Sequence, residues 1–427
     1  MTKIVFIGAG SVVFASRLLT DIVYHPELRD STIALMDIDA ERLKTISSFA
    51  HVLTSKYAPN MKVESTLNRR EALRDADYVI IMIQVGGLEA FELDINIPLK
   101  YGVNQEVGDT IGPGGVFRGL RTIPVLLDIC HDMEELCPDA LLINYANPMA
   151  INCWAMNEAT KIRNVGLCHS VQGTAMQLAN YINVPYEDIY YWVAGINHQA
   201  FFLEFKYKGE DAYPLLWKAM ENKEIYERDK VRFEMMKYLG YFITESSHHL
   251  SEYVPYFRTT EERLREYCEP RWFYLEICKK AWKPHFEHIK KQISGEAPIQ
   301  LSRSHEYGVD IIYSMETGKP CRINGNVENR WLITNLPYGC CVEVPCFVDK
   351  GGIHPCHVGD LPPQCAALNR TNINVQELTV RAALERDRNA ALQAIMFDPL
   401  TSAILTPREI EKMVDEMFRA EAKWIPF

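Results

Sequence analysis

The chain has 427 residues, of which 48% are apolar and 24% are charged, an ordinary balance for a globular protein of two closely joined domains. Its formal net charge of −11 argues against nucleic acid or an anionic membrane as a partner. We expect a cytoplasmic protein, because no run approaches the ~18 apolar residues of a membrane span and the first predicted strand leaves no room for a signal peptide.

The first predicted elements are a strand, a glycine-containing turn and a helix. The strand runs into Gly8-Ala9-Gly10-Ser11, and a second apolar strand ends at Asp37. Gly8 permits a tight turn, Gly10 lets a pyrophosphate approach the backbone, and the helix offers its first N–H groups to phosphate. An acid after the second strand binds the ribose hydroxyls of NAD and disfavours NADP. The pattern predicts an NAD site, with a plain strand–turn–helix corner as the simpler alternative.

Apolar segments alternate with amphipathic stretches through the first half, for example Ala40–Ser55 and Leu120–Leu136. This alternation predicts an α/β fold with a Rossmann-like, doubly wound parallel sheet. Ligands of such a sheet gather at the carboxyl ends of its strands. The predicted strands are residues 3–7, 33–37, 62–66, 78–84, 140–144 and 164–168.

Three features between these strands have two interpretations each. The glycine cluster 108–115 can approach a ligand closely or simply turn a corner. Arg118 and Arg121 would share one face of the following helix, and a solvated face is the simplest interpretation. Asn147 follows an apolar strand, where it can bind sugar hydroxyls or cap a helix that begins at Pro148.

Cys168-His169 and Asn197-His198 each end an apolar segment, so the fold is expected to bring them to one crevice. A thiolate and an imidazole there predict a metal site at Cys168 and His198, although a lone Cys or His is more often structural. Two protein ligands leave open positions for substrate oxygens and water. The twelve cysteines are scattered, which favours reduced thiols over disulfides.

The segment Thr244–Tyr253 is dense in titratable groups. It can be a helix start capped by Thr244 or Ser247. It can also supply proton-transfer groups, for which Tyr253, Glu245 and the paired histidines are candidates. The residues of this segment do not decide between these interpretations.

The alternation of apolar and amphipathic segments ends near Tyr190. This change of pattern predicts a second, α+β domain that lines the other wall of the crevice. We expect the first domain to span residues 1–193 and the second to span 194–427. Strands are expected within residues 190–207 and 305–350, and helices within 210–295 and 372–420.

Many of these motifs together resemble glycoside hydrolase family 4, and in particular its bacterial α-galactosidase (melibiase) branch. The resemblance spans nearly the whole chain and is far more specific than the opening glycines. It implies a second domain of the lactate/malate dehydrogenase type that serves catalysis and oligomerisation, in a homo-oligomer of two or four subunits. It is carried by Phe6–Ser11, Ala34–Asp37, Gly112–Gly115, Leu120–Pro124, Asn147–Met149, Gly166–Gly173, Gly195–His198, Thr244–Ser247, Asn335–Val344 and Thr371–Gln376.

The resemblance implies hydrolysis of an unphosphorylated α-galactoside such as melibiose. The implied route is oxidation at sugar C3, elimination across C1 and C2, addition of water and reduction, with NAD+ retained as a cofactor. An α-glucosidase of the same family is the nearest alternative, because only the C4 hydroxyl separates the two sugars. An NAD-dependent dehydrogenase of the lactate/malate type is a more remote alternative.

The resemblance also assigns roles to residues. Cys168 and His198 hold the metal, typically Mn2+, although a thiolate alone would suggest a softer ion such as Zn2+. Tyr253 matches the base that takes the C2 proton. Some relatives carry an aspartate acid directly after the metal-binding cysteine, and here His169 stands in its place, so the acid is His169 or lies elsewhere. Gly8, Gly10, Ser11 and Asp37 are assigned to the cofactor, and Asn147 to the substrate.

Overall fold

The short apolar segments of the first half form parallel strands, because the intervening helices return the chain to the same end of the sheet. The computed structural model describes residues 1–425 and 427. The elements of this half are β1 Lys3–Ile7, α1 Val12–Tyr24, β2 Thr32–Met36, α2 Ala40–Tyr57, β3 Lys62–Thr66, α3 Arg69–Leu73, β4 Tyr78–Ile81, α4 Gly87–Lys100, α5 Gly112–Leu136, β5 Leu141–Asn144, α6 Met149–Ala159, β6 Asn164–Gly166 and α7 Ser170–Tyr181.

These strands lie in the order β3-β2-β1-β4-β5-β6, and all of their pairings are parallel. This is the strand order of a dinucleotide-binding sheet, in which the chain reverses direction across the sheet between β1 and β4. The predicted Rossmann-like, doubly wound sheet is therefore confirmed. Its central strands are buried on both faces, as the continuous apolar sequence of β4 requires.

The second half begins with a hairpin, continues through a series of helices and returns to strands before four final helices. Its elements are β7 Ile189–Ile196, β8 Gln199–Tyr207, β9 Glu210–Asp211, α8 Tyr213–Met220, α9 Lys223–Arg228, α10 Lys230–Leu239, α11 Ser247–Tyr253, α12 Glu261–Tyr267, α13 Tyr274–Ser294, α14 Tyr307–Thr317, β10 Cys321–Glu328, β11 Cys341–Asp349, β12 Gly352–Pro355, α15 Pro363–Glu385, α16 Arg388–Met396, α17 Pro399–Ser402 and α18 Pro407–Ala420.

The strands of this half continue the same sheet with antiparallel pairings. β10 pairs with β6 at Asn326 and Gly166, and β7 pairs with β11 at Gly195 and Glu343. The end of β6 and the β7–β8 turn are thereby held near each other across the sheet. The division of the chain at residue 193 stays a prediction.

Some predicted elements differ from those observed. The strands predicted at 78–84 and 164–168 end earlier than expected, at Ile81 and Gly166. Within 305–350, residues 307–317 form a helix, since their apolar residues also fit a helical face. Ser246 caps α11, so the caps predicted at Thr244 and Ser247 are wrong.

The face shared by Arg118 and Arg121 is not solvated, and that interpretation is wrong. Arg121 is fully buried, and its guanidinium lies 2.6 Å from Asp94 and 2.9 Å from Glu421. It also donates to the Val85 carbonyl in the loop after β4, at 3.0 Å. Burial, together with the neighbouring Asp94 carboxylate, raises the pKa of Glu421, and the Arg121 guanidinium opposes that rise.

Replacing Arg121 by methionine is expected to lower the free energy of unfolding by about 3–5 kcal/mol, because the Asp94 carboxylate loses its buried partner. The matched control is Arg381→Met, since Arg381 is 57% exposed in its pair with Glu385. That change is expected to cost less than about 1 kcal/mol. Denaturant unfolding of both variants measures the difference, and equal midpoints would contradict the assigned importance of the buried pair.

Two further features concern the cysteines and the helices. All twelve cysteines are free. Among the described residues, no helix has the length and apolar character needed to cross a membrane.

Candidate active site

The turn after β1 forms a cradle that a side chain would fill. A Cβ at Gly8, whose φ is +86°, would lie 2.9 Å from the Met82 carbonyl oxygen. A Cβ at Gly10 would lie 2.7 Å from the Asp37 carboxylate, which accepts a hydrogen bond from the backbone N–H of Gly10 at 2.6 Å. Ser11 precedes α1 without a side-chain cap, so the first N–H groups of the helix are free to donate hydrogen bonds to a bound anion. The four residues predicted to bind the cofactor thus lie together.

Three possible metal ligands converge from separate parts of the chain. Cys168 follows β6, His198 lies in the β7–β8 turn, and Glu245 precedes α11. The Cys168 Sγ lies 3.4 Å from His198 Nε2, which lies 4.0 Å from a Glu245 carboxylate oxygen. All three ligand atoms lie within 4.8 Å of one another. The structure therefore brings the predicted pair together and adds Glu245.

The backbone at two of these residues is strained. His198 has a φ of +64° and Glu245 a φ of +77°, in the left-handed region that costs such residues of the order of 1–3 kcal/mol. Glu245 is held there because its N–H donates to Thr174 at 3.0 Å and its carbonyl accepts from Arg232 at 2.6 Å. Strain of this kind is typical of residues that a site needs in one orientation.

The local electrostatics fit a bound cation. Burial raises the pKa of the Cys168 thiol and raises the pKa of Glu343, on the neighbouring β11, to about 8. Burial alone would also raise the pKa of Glu245, but the imidazoles of His249 and His198 lower it to about 2. A divalent cation would supply the positive charge that a Cys168 thiolate needs at this position.

Tyr253 lies beside this cluster, on α11. It is 2% exposed, and its hydroxyl donates to Thr110 Oγ1 at 2.9 Å. Thr110 Oγ1 lies in turn 3.4 Å from His198 Nδ1. Burial raises the pKa of Tyr253 well above its ordinary value, and the hydrogen bond with Thr110 opposes that rise.

Asn147 belongs to a polar group at the end of β5. Its side-chain amide donates to Asp109 at 2.9 Å, and its carbonyl accepts from Arg118 at 3.2 Å. The residue that precedes α6 as its cap is Pro148, so the interpretation of Asn147 as a helix cap is wrong. Its predicted role in binding substrate stays a prediction.

His169 differs from the other site residues in its exposure. Its side chain is 69% exposed, and its Nδ1 lies 3.8 Å from a carboxylate oxygen of Glu306, which is largely buried. His169 follows Cys168 directly in the chain. Its role as leaving-group acid stays a prediction.

Sequence reasoning did not single out Thr110, Asp109 or Glu306. Thr110 and Asp109 lie within the glycine cluster 108–115, whose glycines predict either a close approach to a ligand or a turn and do not point to the side chains between them. Glu306 has no local signal, because only the folded chain brings it to His169. Glu343 is fully buried, and the sequence signal that points to it is a single acidic residue within an apolar strand.

The whole chain is similar to known proteins. Residues 3–184 match the profile described as "Family 4 glycosyl hydrolase", and residues 193–401 match the C-terminal domain of that family. An alpha-galactosidase of Bacillus subtilis (strain 168) is 45% identical, with 100% of this chain and 99% of that protein covered. An alpha-galactosidase of Rhizobium meliloti (strain 1021) is 40% identical over 99% of this chain and 89% of that protein.

Solved structures share the fold. A 6-phospho-alpha-glucosidase from gut microorganisms, solved in complex with NAD and Mn2+, aligns with a TM-score of 0.85 at 23% identity. The alignment covers 100% of this chain and 99% of that one. Two domain profiles and full-length relatives thus agree with the motifs of the sequence, and the chain belongs to glycosyl hydrolase family 4.

Proposed function

We propose that this family 4 enzyme is an α-galactosidase that hydrolyses unphosphorylated terminal α-galactosides with NAD+ and a divalent metal. The observation that carries the proposal is the cluster of Cys168, His198 and Glu245, within 4.8 Å, beside Tyr253 in a chain 45% identical throughout to an alpha-galactosidase. Membership of a glycosyl hydrolase family decides against the predicted dehydrogenase alternative.

The residues fit both cofactors. Gly8, Gly10 and Asp37 would hold NAD+, which when bound supplies reversible hydride acceptance at a sugar carbon. Cys168, His198 and Glu245 would hold the metal, for which Mn2+ is proposed, and it supplies Lewis-acid polarisation of sugar oxygens.

The chain's own residues supply binding and proton transfer in this proposal. Tyr253 takes the proton from C2 of the sugar, and its burial excludes water from that transfer. His169, whose side chain is exposed, donates a proton to the leaving oxygen. The amide of Asn147 and the carboxylate of Asp109 form a polar pair able to bind sugar hydroxyls.

A substrate comparison tests this function. We expect p-nitrophenyl α-galactoside to be hydrolysed with NAD+, Mn2+ and a thiol reductant present, and the α-glucoside to react much more slowly. The 6-phosphorylated galactoside is expected to gain nothing from its phosphate. A preference for the glucoside would assign the protein to the α-glucosidase alternative, and hydrolysis of neither sugar would contradict the proposal.

Removal of divalent metal is expected to abolish hydrolysis, with recovery on adding Mn2+, because the metal supplies charge stabilisation worth several kcal/mol. Dialysis against a chelator followed by Mn2+ titration measures this dependence. NAD+ binding to the metal-free protein serves as the control and is expected to persist, since the glycine cradle contains none of the metal ligands. Full activity in protein shown to be metal-free would overturn the assignment.

Cellular location and assembly are part of the same proposal. Twelve free cysteines suit a reducing compartment, which supports the cytoplasm as the location. The homo-oligomer of two or four subunits stays a prediction.

A further inference from the structure

Thr110 occupies a position between two residues to which the proposed function gives different roles. Its Oγ1 lies 2.9 Å from the Tyr253 hydroxyl and 3.4 Å from His198 Nδ1. Thr110, Tyr253 and His198 are only 6%, 2% and 3% exposed, so water does not compete freely for these hydrogen bonds.

The two ring nitrogens of His198 face different partners. Nε2 lies toward Cys168 and Glu245, and Nδ1 lies toward Thr110. An imidazole that offers Nε2 to a metal carries its proton on Nδ1, and the partner of that N–H fixes the tautomer and the ring orientation. Thr110 Oγ1 is the acceptor that this structure places there.

A threonine hydroxyl accepts and donates at the same time. When Oγ1 accepts from His198 Nδ1–H, its own proton is available to the oxygen of Tyr253. A Tyr253 that has lost its proton accepts this hydrogen bond, which stabilises the phenolate. The hydrogen bonds then run in one direction, from imidazole to hydroxyl to phenolate.

We propose that Thr110 is a positioning residue that joins the metal ligand His198 and the base Tyr253 through this directed pair of hydrogen bonds. The inference rests on the proposed function, because that function supplies both roles. It extends that function, because the orientation of the His198 imidazole and the stabilisation of the Tyr253 phenolate then both depend on the hydroxyl group of Thr110.

The segment that carries Thr110 is fixed by the helix that carries Tyr253. The carboxylate of Glu252 accepts the backbone N–H groups of Glu106, Val107 and Gly108 at 2.6, 2.9 and 2.9 Å. Because Glu252 precedes Tyr253 on α11, one helix turn sets the positions of both the base and its partner.

The start of α5 packs directly against Thr110. A Cβ at Gly115 would lie 2.4 Å from the Thr110 carbonyl carbon, so a larger residue there would displace this segment. This close approach explains why position 115 of the glycine cluster 108–115 is a glycine. Removal of the hydroxyl alone, without a change of shape, is therefore the informative substitution.

Thr110→Val removes the hydroxyl and keeps the shape, and Thr110→Ser keeps the hydroxyl. Thr379→Val is the matched control, because Thr379 is a buried threonine whose hydroxyl, among the described residues, donates only to the Val375 carbonyl of its own helix. We expect Thr110→Val to lower kcat about 10²-fold or more with little change in KM. We also expect its Mn2+ affinity to weaken about 10- to 100-fold.

Thr110→Ser is expected to restore kcat and Mn2+ affinity to within a few-fold of the wild type, and Thr379→Val to match the wild type. Thr110→Ala, which adds no bulk, repeats the loss if the valine variant does not fold. Wild-type kcat and Mn2+ affinity in Thr110→Val would overturn the inference. A serine variant as impaired as the valine variant would overturn it too, since shape and not the hydroxyl would then matter.

The Mn2+ titration separates this inference from the proposed function. If the wild type hydrolyses no galactoside, the proposed substrate is wrong. If Thr110→Val then binds Mn2+ more weakly than Thr379→Val does, the result still supports the inference that Thr110 orients the His198 imidazole. Equal Mn2+ binding by the two variants overturns that inference.

Discussion

Replacing His198 by alanine is expected to abolish galactoside hydrolysis, with a loss in kcat/KM of about 10³-fold or more. The imidazole is central to the cluster, since its Nε2 lies 3.4 Å from Cys168 and 4.0 Å from Glu245. Its removal leaves only the Cys168 thiol and the Glu245 carboxylate, whose ligand atoms lie within 4.8 Å of each other. Metal analysis of the purified variant, together with its kcat and KM, measures the effect.

Cys168→Ser is expected to cause a similar loss, because a serine hydroxyl does not supply a thiolate ligand. His51→Ala provides the matched histidine control, since His51 is exposed on α2 and bonds only to the backbone of its own helix. Both site variants are expected to keep the folded state and NAD+ binding. Wild-type metal content and turnover in either one would show that the metal lies elsewhere.

Replacing Tyr253 by phenylalanine is expected to lower kcat by about 10²- to 10⁴-fold, the range for loss of a general base. The ring remains to fill its buried position, and only the oxygen that contacts Thr110 is lost. Metal and NAD+ binding are expected to persist. Tyr256→Phe is the control, because Tyr256 is 52% exposed and lies on the same segment.

The same variant tests the proton that Tyr253 moves. Wild-type hydrolysis in D2O is expected to place deuterium at C2 of the released galactose, and mass spectrometry or NMR detects it. In Tyr253→Phe this incorporation is expected to fall together with activity. Unchanged incorporation in the variant would assign the base to another residue.

The parts of the fold that could be predicted depend on local sequence. β1 leads directly into Gly8 and β2 into Asp37, and these residues identify the turns that follow, so the place of both strands in a parallel sheet follows from the sequence order. The convergence of Cys168 and His198 was also predictable, because both residues end apolar segments. The helix at 307–317 was not, since its apolar pattern fits either element.

Other features depend on contacts that only the folded chain creates. Spacing alone gives Arg121 the pattern of a solvated face, and its burial depends on Asp94 and on the distant Glu421. The sequence indicates Glu245 only as one of several titratable groups, because its approach to His198 depends on a strained backbone at both residues.

The number of galactose molecules released per NAD+ tests the central claim most directly. Enzyme stripped of cofactor is given one equivalent of NAD+ with Mn2+ and melibiose, and galactose and NADH are both followed over time. We expect no hydrolysis before NAD+ is added, then many galactose molecules per NAD+ without accumulation of NADH. Hydrolysis by the stripped enzyme, or one NADH formed for each galactose, would contradict a retained, catalytic NAD+.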